Sequence, residues 1–310
     1  MTGLSIKSAY TESLNAINFL FLKKKMAPDL KSSKVAFIGG GNMAAAIIGG
    51  LVAKGLDKQN IIVSEPWDVN REKMAKLGVK TTTSNGEAFA DADIAILAVK
   101  PQVAKGVCEE LAKASSGREK VGVVVSIAAG IPLESLQNWM KLDDGRIPHV
   151  VRVMPNTPAL VGEGASGLFA GSGVTEDEKR LTESLMSSVS KATEWVDKEE
   201  LIDVVTGLSG SGPAYFFAMV EHMISSAVKL GLSEDQAKRL AAQTCLGAGK
   251  MLVESPESPG QLRQNVTSPN GTTYAALQSF EASGFEEIVD KAVKAATARG
   301  EELGKTLGNQ

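Results

Sequence analysis

"KVAFIGGGNMAAAIIGGL", Lys34 to Leu51, sets a strand-sized apolar run, three glycines and a small-residue helical stretch end to end. Gly39, Gly41 and Ala44 stand at G-x-G-x-x-A spacing where the run ends and the helix begins. In that setting the first glycine makes a tight turn, the second lets the backbone approach a pyrophosphate, and the small third residue lets helix and strand pack closely. The unpaired N–H groups of the helix start then face the phosphates. The stretch predicts a strand, a turn and a helix that bind a dinucleotide.

Further along, apolar runs continue to alternate with helical patterns. "IIVS", "DIAILAV", "VGVVVSI" and "HVVRVM" read as strands, with helices over 42–54, 69–77 and 103–114 between them. Such βαβ alternation implies a parallel sheet covered on both faces. "GLFAG" and "ATEWV" are two more strand candidates around the helix "TEDEKRLTESLMSSV", where Thr175 and Glu178 have the spacing of a capping box. The sheet therefore reaches about Lys198. From Glu199 the strand signal stops, and Ala- and Gly-rich helices such as "AAQTCLGAGKML" and "KAVKAATARGEEL" follow. The predicted class is α/β: a Rossmann-like dinucleotide-binding domain over 34–198, then an all-α dimerisation and substrate domain over 199–310. About 110 residues of small-residue helices make a poor core alone, so a partner subunit is expected to complete it.

The chemistry-bearing residues gather at predicted C-terminal strand ends, where open α/β sheets bind ligands. Glu65 ends the second strand, where an acidic residue hydrogen-bonds the adenosine ribose, which favours NADH; Arg71 nearby can instead pair with a 2′-phosphate, which favours NADPH. "AVKP", with Lys100 and Pro101, "SIAAG" and "MPNTP", with Asn156, end later strands. Lys100 reads equally well as a solvated lysine and Asn156 as a structural turn residue. "NVTSPNGTTYAAL", Asn265 to Leu277, offers Thr267, Ser268, Thr272 and Thr273 at a helix start. One hydroxyl suffices to cap a helix, whereas several, together with free N–H groups, suit an anion.

Composition sets the outer limits. Thirty-three Lys and Arg against 36 Asp and Glu leave a net charge of -3, with no basic block beyond Lys23–Lys25, so nucleic acid is not an expected partner. Two cysteines, Cys108 and Cys245, without CxxC spacing, and two histidines, His149 and His222, point to no metal site and to a reducing, cytoplasmic setting. Apolar runs are strand-sized, and no membrane span is expected. Residues 1–33 read as a flexible extension; "SLNAINFLFLKKK" reverses the order of a secretory signal and lacks the arginines of a mitochondrial presequence, the other destination considered.

"FIGGGNMAAAIIGGL", "AVKPQ", "VSIAAGI", "RVMPNTPALVGEG", "GLSGSGPAY" and "PGQLRQNVTSPNGTTYAAL" together resemble the pyrroline-5-carboxylate reductases. The resemblance implies hydride transfer from NADPH, with NADH possible, to the C=N carbon of L-1-pyrroline-5-carboxylate, giving L-proline in the last step of proline synthesis. It implies a homodimer, or a larger ring built from dimers. It implies cofactor contacts at Gly39, Gly41, Asn42, Met43, Asn85, Lys100, Ala128, Ala129 and Asn156. The substrate carboxylate would lie on Ser268, Gly271, Thr272 and Thr273, with the Thr273 hydroxyl, the catalytic candidate, facing the ring nitrogen. Glu65 departs from the small polar residue common in the family. Two rivals remain: a β-hydroxyacid-type dehydrogenase, for which Lys229 and Lys250 are the helical lysine candidates, and a non-enzymatic dinucleotide-binding redox sensor.

Overall fold

The computed structural model describes residues 30–308. The predictions for the extension before residue 30 lie outside the described residues. Eight strands form one sheet in the order β3-β2-β1-β4-β5-β6-β7-β8. The first half runs β1 (Val35–Ile38), α1 (Asn42–Ala53), β2 (Ile61–Ser64), α2 (Asp68–Lys76), β3 (Lys80–Thr82), α3 (Asn85–Phe89), β4 (Ile94–Leu97), α4 (Ala104–Ser115), β5 (Val123–Ser126), α5 (Leu133–Trp139) and β6 (Val150–Met154). These six strands are mutually parallel. The chain leaves β1 toward β2 and later returns to the other side at β4, so the crevice for a ligand opens above β1 and β4.

Both faces of the sheet are covered. Val35, Phe37, Ile94 and Ile96 pack with Ile47, Ile48 and Leu51 of α1 on one face, while Ile38, Leu97 and Val124 pack with Leu111 and Leu136 on the other. Each such side chain contributes about 1.5–3 kcal/mol on full burial, which explains the unbroken apolar runs of the central strands.

Two departures from the predicted sheet concern its ends. β3, "KTT", carries no apolar run, yet it pairs with β2 and forms the edge. β7 (Gly164–Ala170) is antiparallel to β6 and parallel to β8 (Ser190–Trp195), so the all-parallel expectation is corrected there. A turn over Thr157–Val161 ends at Gly162, φ 77°, and sends the chain straight back along β6 rather than through a crossover helix. Between β7 and β8, α6 (Glu176–Met186) starts with the expected capping box: the Thr175 hydroxyl accepts from Glu178 N–H, and the Glu178 carboxylate accepts from Thr175 N–H.

Among the described residues, every regular element beyond β8 is helical: α7 (Leu201–Val205), a π-helical turn (Thr206–Gly210), α8 (Gly212–Lys229), α9 (Glu234–Glu254), α10 (Pro259–Asn265), α11 (Thr272–Ala282) and α12 (Phe285–Gly308). The start of this region is tied to the sheet. Arg152 of β6, buried, pairs with Glu199, whose carboxylate also accepts from Leu133 N–H at 2.6 Å. By contrast, α9 buries only Ala237 and Ala241, and α11 buries nothing. Phe217 and Leu246 stand 68% and 64% exposed, an apolar surface that a stable monomer does not leave open to water. Among the described residues no helix is long and apolar enough to cross a membrane.

Candidate active site

The glycine turn sits above β1. Gly39 has φ 102°, and a β-carbon there would lie 2.6 Å from the carbonyl oxygen of Ala98 at the exit of β4. Only glycine fits. At Gly41 a β-carbon would meet nothing within 4 Å, so the turn is open on the side where a pyrophosphate would lie. Gly41 occupies the N-cap of α1 with no side-chain cap, and the first helical bond there is from Ala45 N–H to Gly41 O. The N–H groups of Asn42, Met43 and Ala44 therefore stay available for phosphate oxygens. Ala44 itself is fully buried, the close helix–strand contact that its small size permits. These residues fit a dinucleotide.

Glu65 belongs to the same turn, in a way its sequence position does not reveal. Glu65 is buried, 8% exposed; one carboxylate oxygen accepts from Gly40 N–H at 2.8 Å and the other from Trp67 N–H at 2.9 Å. It brackets the glycine turn to the end of β2, with lone pairs left over for a ribose hydroxyl. Arg71 is also engaged, donating to the carbonyl oxygens of Glu65 and Pro66 and pairing with Asp68. A 2′-phosphate would have to compete with Asp68 for that guanidinium.

The remaining rim residues divide by whether their side chains are free. Lys100 is exposed and pairs with no carboxylate among the described residues; Pro101 opens the short turn that follows it. Ala128 is buried and Ala129 exposed at the exit of β5. Asn85 accepts from Ser64 Oγ at 2.7 Å and donates to Glu110 at 2.8 Å. Both ends of the Asn156 side chain are committed: Oδ1 accepts from Ala165 N–H at 2.9 Å, and Nδ2 donates to Ser209 O at 3.1 Å. Its amide thus joins the rim after β6 to the π-helical turn of the helical region, in keeping with a structural turn.

That π turn is packed tightly. A β-carbon on Gly207 would lie 2.3 Å from Thr297 Oγ1 of α12, and Tyr215 OH donates to Gly207 O at 2.8 Å. Single π turns often mark functional positions. Beside it opens an apolar cleft of about 640 Å³ between α8 and α9, bordered by Asn156 and Ser209 and lined by Phe216, Phe217, Met223 and Cys245.

The hydroxyl-rich stretch forms the turn before α11. Thr267 Oγ1 donates to Arg263 O at 2.6 Å and Asn270 takes a positive φ of 60°. Gly271 occupies the N-cap without any side-chain cap, and the first helical bond runs from Ala275 N–H to Gly271 O. The hydroxyls thus do not close the helix start, as a plain start signal would predict. Ser84, Thr175, Ser233 and Ser258 do cap their own helices. Among the described residues, Ser268 and Thr272 are exposed, Thr273 is half-buried, and no hydrogen bond links any of the three hydroxyls to the nucleotide domain.

The other candidates are accounted for locally. His149 pairs with Glu178 at 2.8 Å, and His222 is exposed on α8. Lys229 ends α8 and Lys250 pairs with Glu254 on α9, so neither stands in the π turn that a lysine-dependent dehydrogenase would use. Burial pushes the Cys108 thiol up to about 12, with Glu109 adding to the shift, so it is no nucleophile. Asp203, near Arg152, has its carboxyl raised by desolvation above all; Arg152 opposes the rise, and Glu301, Glu199 and Glu200 add to it.

Against known proteins, residues 199–303 match the family model described as pyrroline-5-carboxylate reductase dimerisation, and residues 34–130 the one described as NADP oxidoreductase, coenzyme F420-dependent. A pyrroline-5-carboxylate reductase of Pseudomonas aeruginosa is 48% identical over 280 residues, covering 90% of this chain and 100% of that protein. The Arabidopsis thaliana enzyme of the same name is 40% identical over 278 residues, 89% of this chain and 97% of that one. Among solved structures, a pyrroline-5-carboxylate reductase from Coxiella burnetii matches with a TM-score of 0.81 at 42% identity, over 88% of this chain and 98% of that chain. The Plasmodium falciparum pyrroline carboxylate reductase with NADP bound matches with a TM-score of 0.75 at 30% identity, over 88% and 99%.

Proposed function

This chain belongs to the pyrroline-5-carboxylate reductase family, and from that premise we propose that it reduces L-1-pyrroline-5-carboxylate to L-proline at a site shared between two subunits. The reduced nicotinamide dinucleotide, NADPH or NADH, supplies the hydride that the C=N carbon accepts, and the ring nitrogen carries the proton. The chain's own part is to hold both reactants. Gly39, Gly41, Asn42, Met43 and Ala44 hold the pyrophosphate, with Glu65, Arg71, Asn85, Lys100, Pro101, Ala128, Ala129 and Asn156 around the rest of the dinucleotide. Thr272 and Thr273 N–H, with the Ser268 hydroxyl and the close backbone at Gly271, hold the substrate carboxylate, and Thr273 Oγ1 faces the ring nitrogen. A protonated imine carbon is already electrophilic, so positioning is the main requirement.

The observation that carries this reading is the uncapped start of α11: the Thr272 and Thr273 N–H groups and the Ser268, Thr272 and Thr273 hydroxyls have no hydrogen-bond partner among the described residues, on a helix that buries no residue of its own. In a dimer, α11 of one subunit can reach the apolar cleft beside Asn156 of the other. The division of labour follows the chain, a nucleotide domain over 34–198 and a dimerisation and substrate domain over 199–310. We place the dimer in the cytoplasm, where two unpaired cysteines stay reduced, with no nucleic-acid partner. Light scattering distinguishes a dimer from a ring.

Mixing two defective chains tests the shared site. Gly41→Val blocks the pyrophosphate side of the turn, and Thr273→Ala disables the substrate turn. A shared site leaves one intact site in each mixed dimer, so random reassortment restores about a quarter of wild-type reductase activity. A site confined to one chain gives no recovery.

A further inference from the structure

Trp67 stands 65% exposed at the N-cap of α2, two residues beyond Glu65. So large an apolar ring in water is unusual beside a ligand crevice, and its backbone is held firmly. Pro66 precedes it, Trp67 N–H donates to the Glu65 carboxylate at 2.9 Å, and Trp67 O accepts from Arg71 N–H at 2.9 Å. The same carboxylate holds Gly40. One side chain therefore separates the indole-bearing residue from the glycine turn. Among the described residues the indole stacks on no other ring.

We propose that Trp67 is the adenine platform of this enzyme: the indole stacks on the base of the bound dinucleotide, positioned by the Glu65 bracket. This rests on the dinucleotide reading of the glycine turn. From a pyrophosphate on α1, the adenosine half extends over the end of β2, where Glu65, Trp67 and Arg71 converge. An aromatic face accepts the adenine of NADH and of NADPH alike, since the 2′ position lies on the ribose and not on the base. Trp67 therefore governs affinity for the adenosine half, while the choice between the two cofactors falls to Glu65, Asp68 and Arg71. Preorganisation of its backbone lowers the entropy cost of stacking.

Two probes separate the halves of the cofactor: ADP-ribose, which has adenine and pyrophosphate, and reduced nicotinamide mononucleotide, which has neither. With the full-length protein, Trp67→Ala should weaken ADP-ribose, NADH and NADPH about tenfold, within the roughly five- to hundredfold range of one base–aromatic stack. Trp67→Phe should recover most of that affinity. ADP-ribose should quench indole emission in the wild type, and the quench should vanish in Trp67→Phe, because Trp139 and Trp195 are packed against the cores. Turnover with reduced nicotinamide mononucleotide should be the same in all three proteins. Trp67→Ala binding ADP-ribose as tightly as wild type, or losing turnover with the mononucleotide in parallel, overturns the platform. Wild-type protein that binds no ADP-ribose at all overturns the dinucleotide reading itself.

Discussion

Replacing Thr273 with alanine separates the two roles open to the hydroxyl-rich turn. The cap of α11 is Gly271, and Thr273 Oγ1 accepts from no backbone N–H of the helix start. Alanine therefore removes no capping bond, and its higher helix propensity adds at most about 0.7 kcal/mol. The melting temperature should stay level or rise slightly. Catalysis should respond quite differently. A hydrogen bond to a charged group contributes about 1.5–3 kcal/mol, so if the hydroxyl makes the proposed contact with the ring nitrogen, losing it should lower kcat/KM for pyrroline-5-carboxylate about ten- to a hundredfold. The dissociation constant for NADPH should barely change, because the turn lies in the other domain. Thr273→Ser keeps the hydroxyl and should retain most activity. Steady-state rates, cofactor titrations and thermal melts on the same preparations read all of this. An alanine variant that melts early yet turns over normally would refute the reasoning, since the hydroxyl would then be serving the fold.

Glu65→Ser should weaken NADH and NADPH together, because it leaves Gly40 N–H without its buried acceptor, at a cost of about 1–3 kcal/mol; the NADH-to-NADPH ratio should also fall, as removing a carboxylate favours a 2′-phosphate. An unchanged affinity for both in titrations would remove Glu65 from the turn. Gly207→Ala should lower the melting temperature and activity, since the added methyl would lie 2.3 Å from Thr297 Oγ1 and 2.9 Å from Val293 O, an overpacking worth about 1–3 kcal/mol. Asp203 binds its proton more tightly folded than unfolded, so its contribution to stability is lost as pH rises from the ordinary aspartate range through its raised folded value. Asp203→Asn should raise the melting temperature at neutral pH and flatten that part of the pH profile; thermal melts from pH 4 to about 8 check it.

The local features of this protein are legible along the chain because their causes are short in sequence. The turn at Gly39, the strands "VAFI" and "IAIL", and the Thr175–Glu178 capping box each depend on neighbours within a few residues. A switch from strand to helix after Trp195 is likewise written in local periodicity. Other features depend on partners far along the chain. β3 is strand only because "KTT" finds the open edge of β2, and β7 turns antiparallel because the chain doubles back at Gly162. Position in the motif marked Glu65 for a ribose, but only packing showed its two oxygens on Gly40 and Trp67. Asn156 spans 53 residues to reach Ser209, a hydrogen bond that no pattern of residue types announces. The start of α11 shows the same limit: its hydroxyls are evident in "TSPNGTT", whereas the lack of partners at Ser268, Thr272 and Thr273 among the described residues depends on where the helix comes to lie. Propensity and periodicity act over a turn or two, and unpaired groups are found only once every distant element has taken its place.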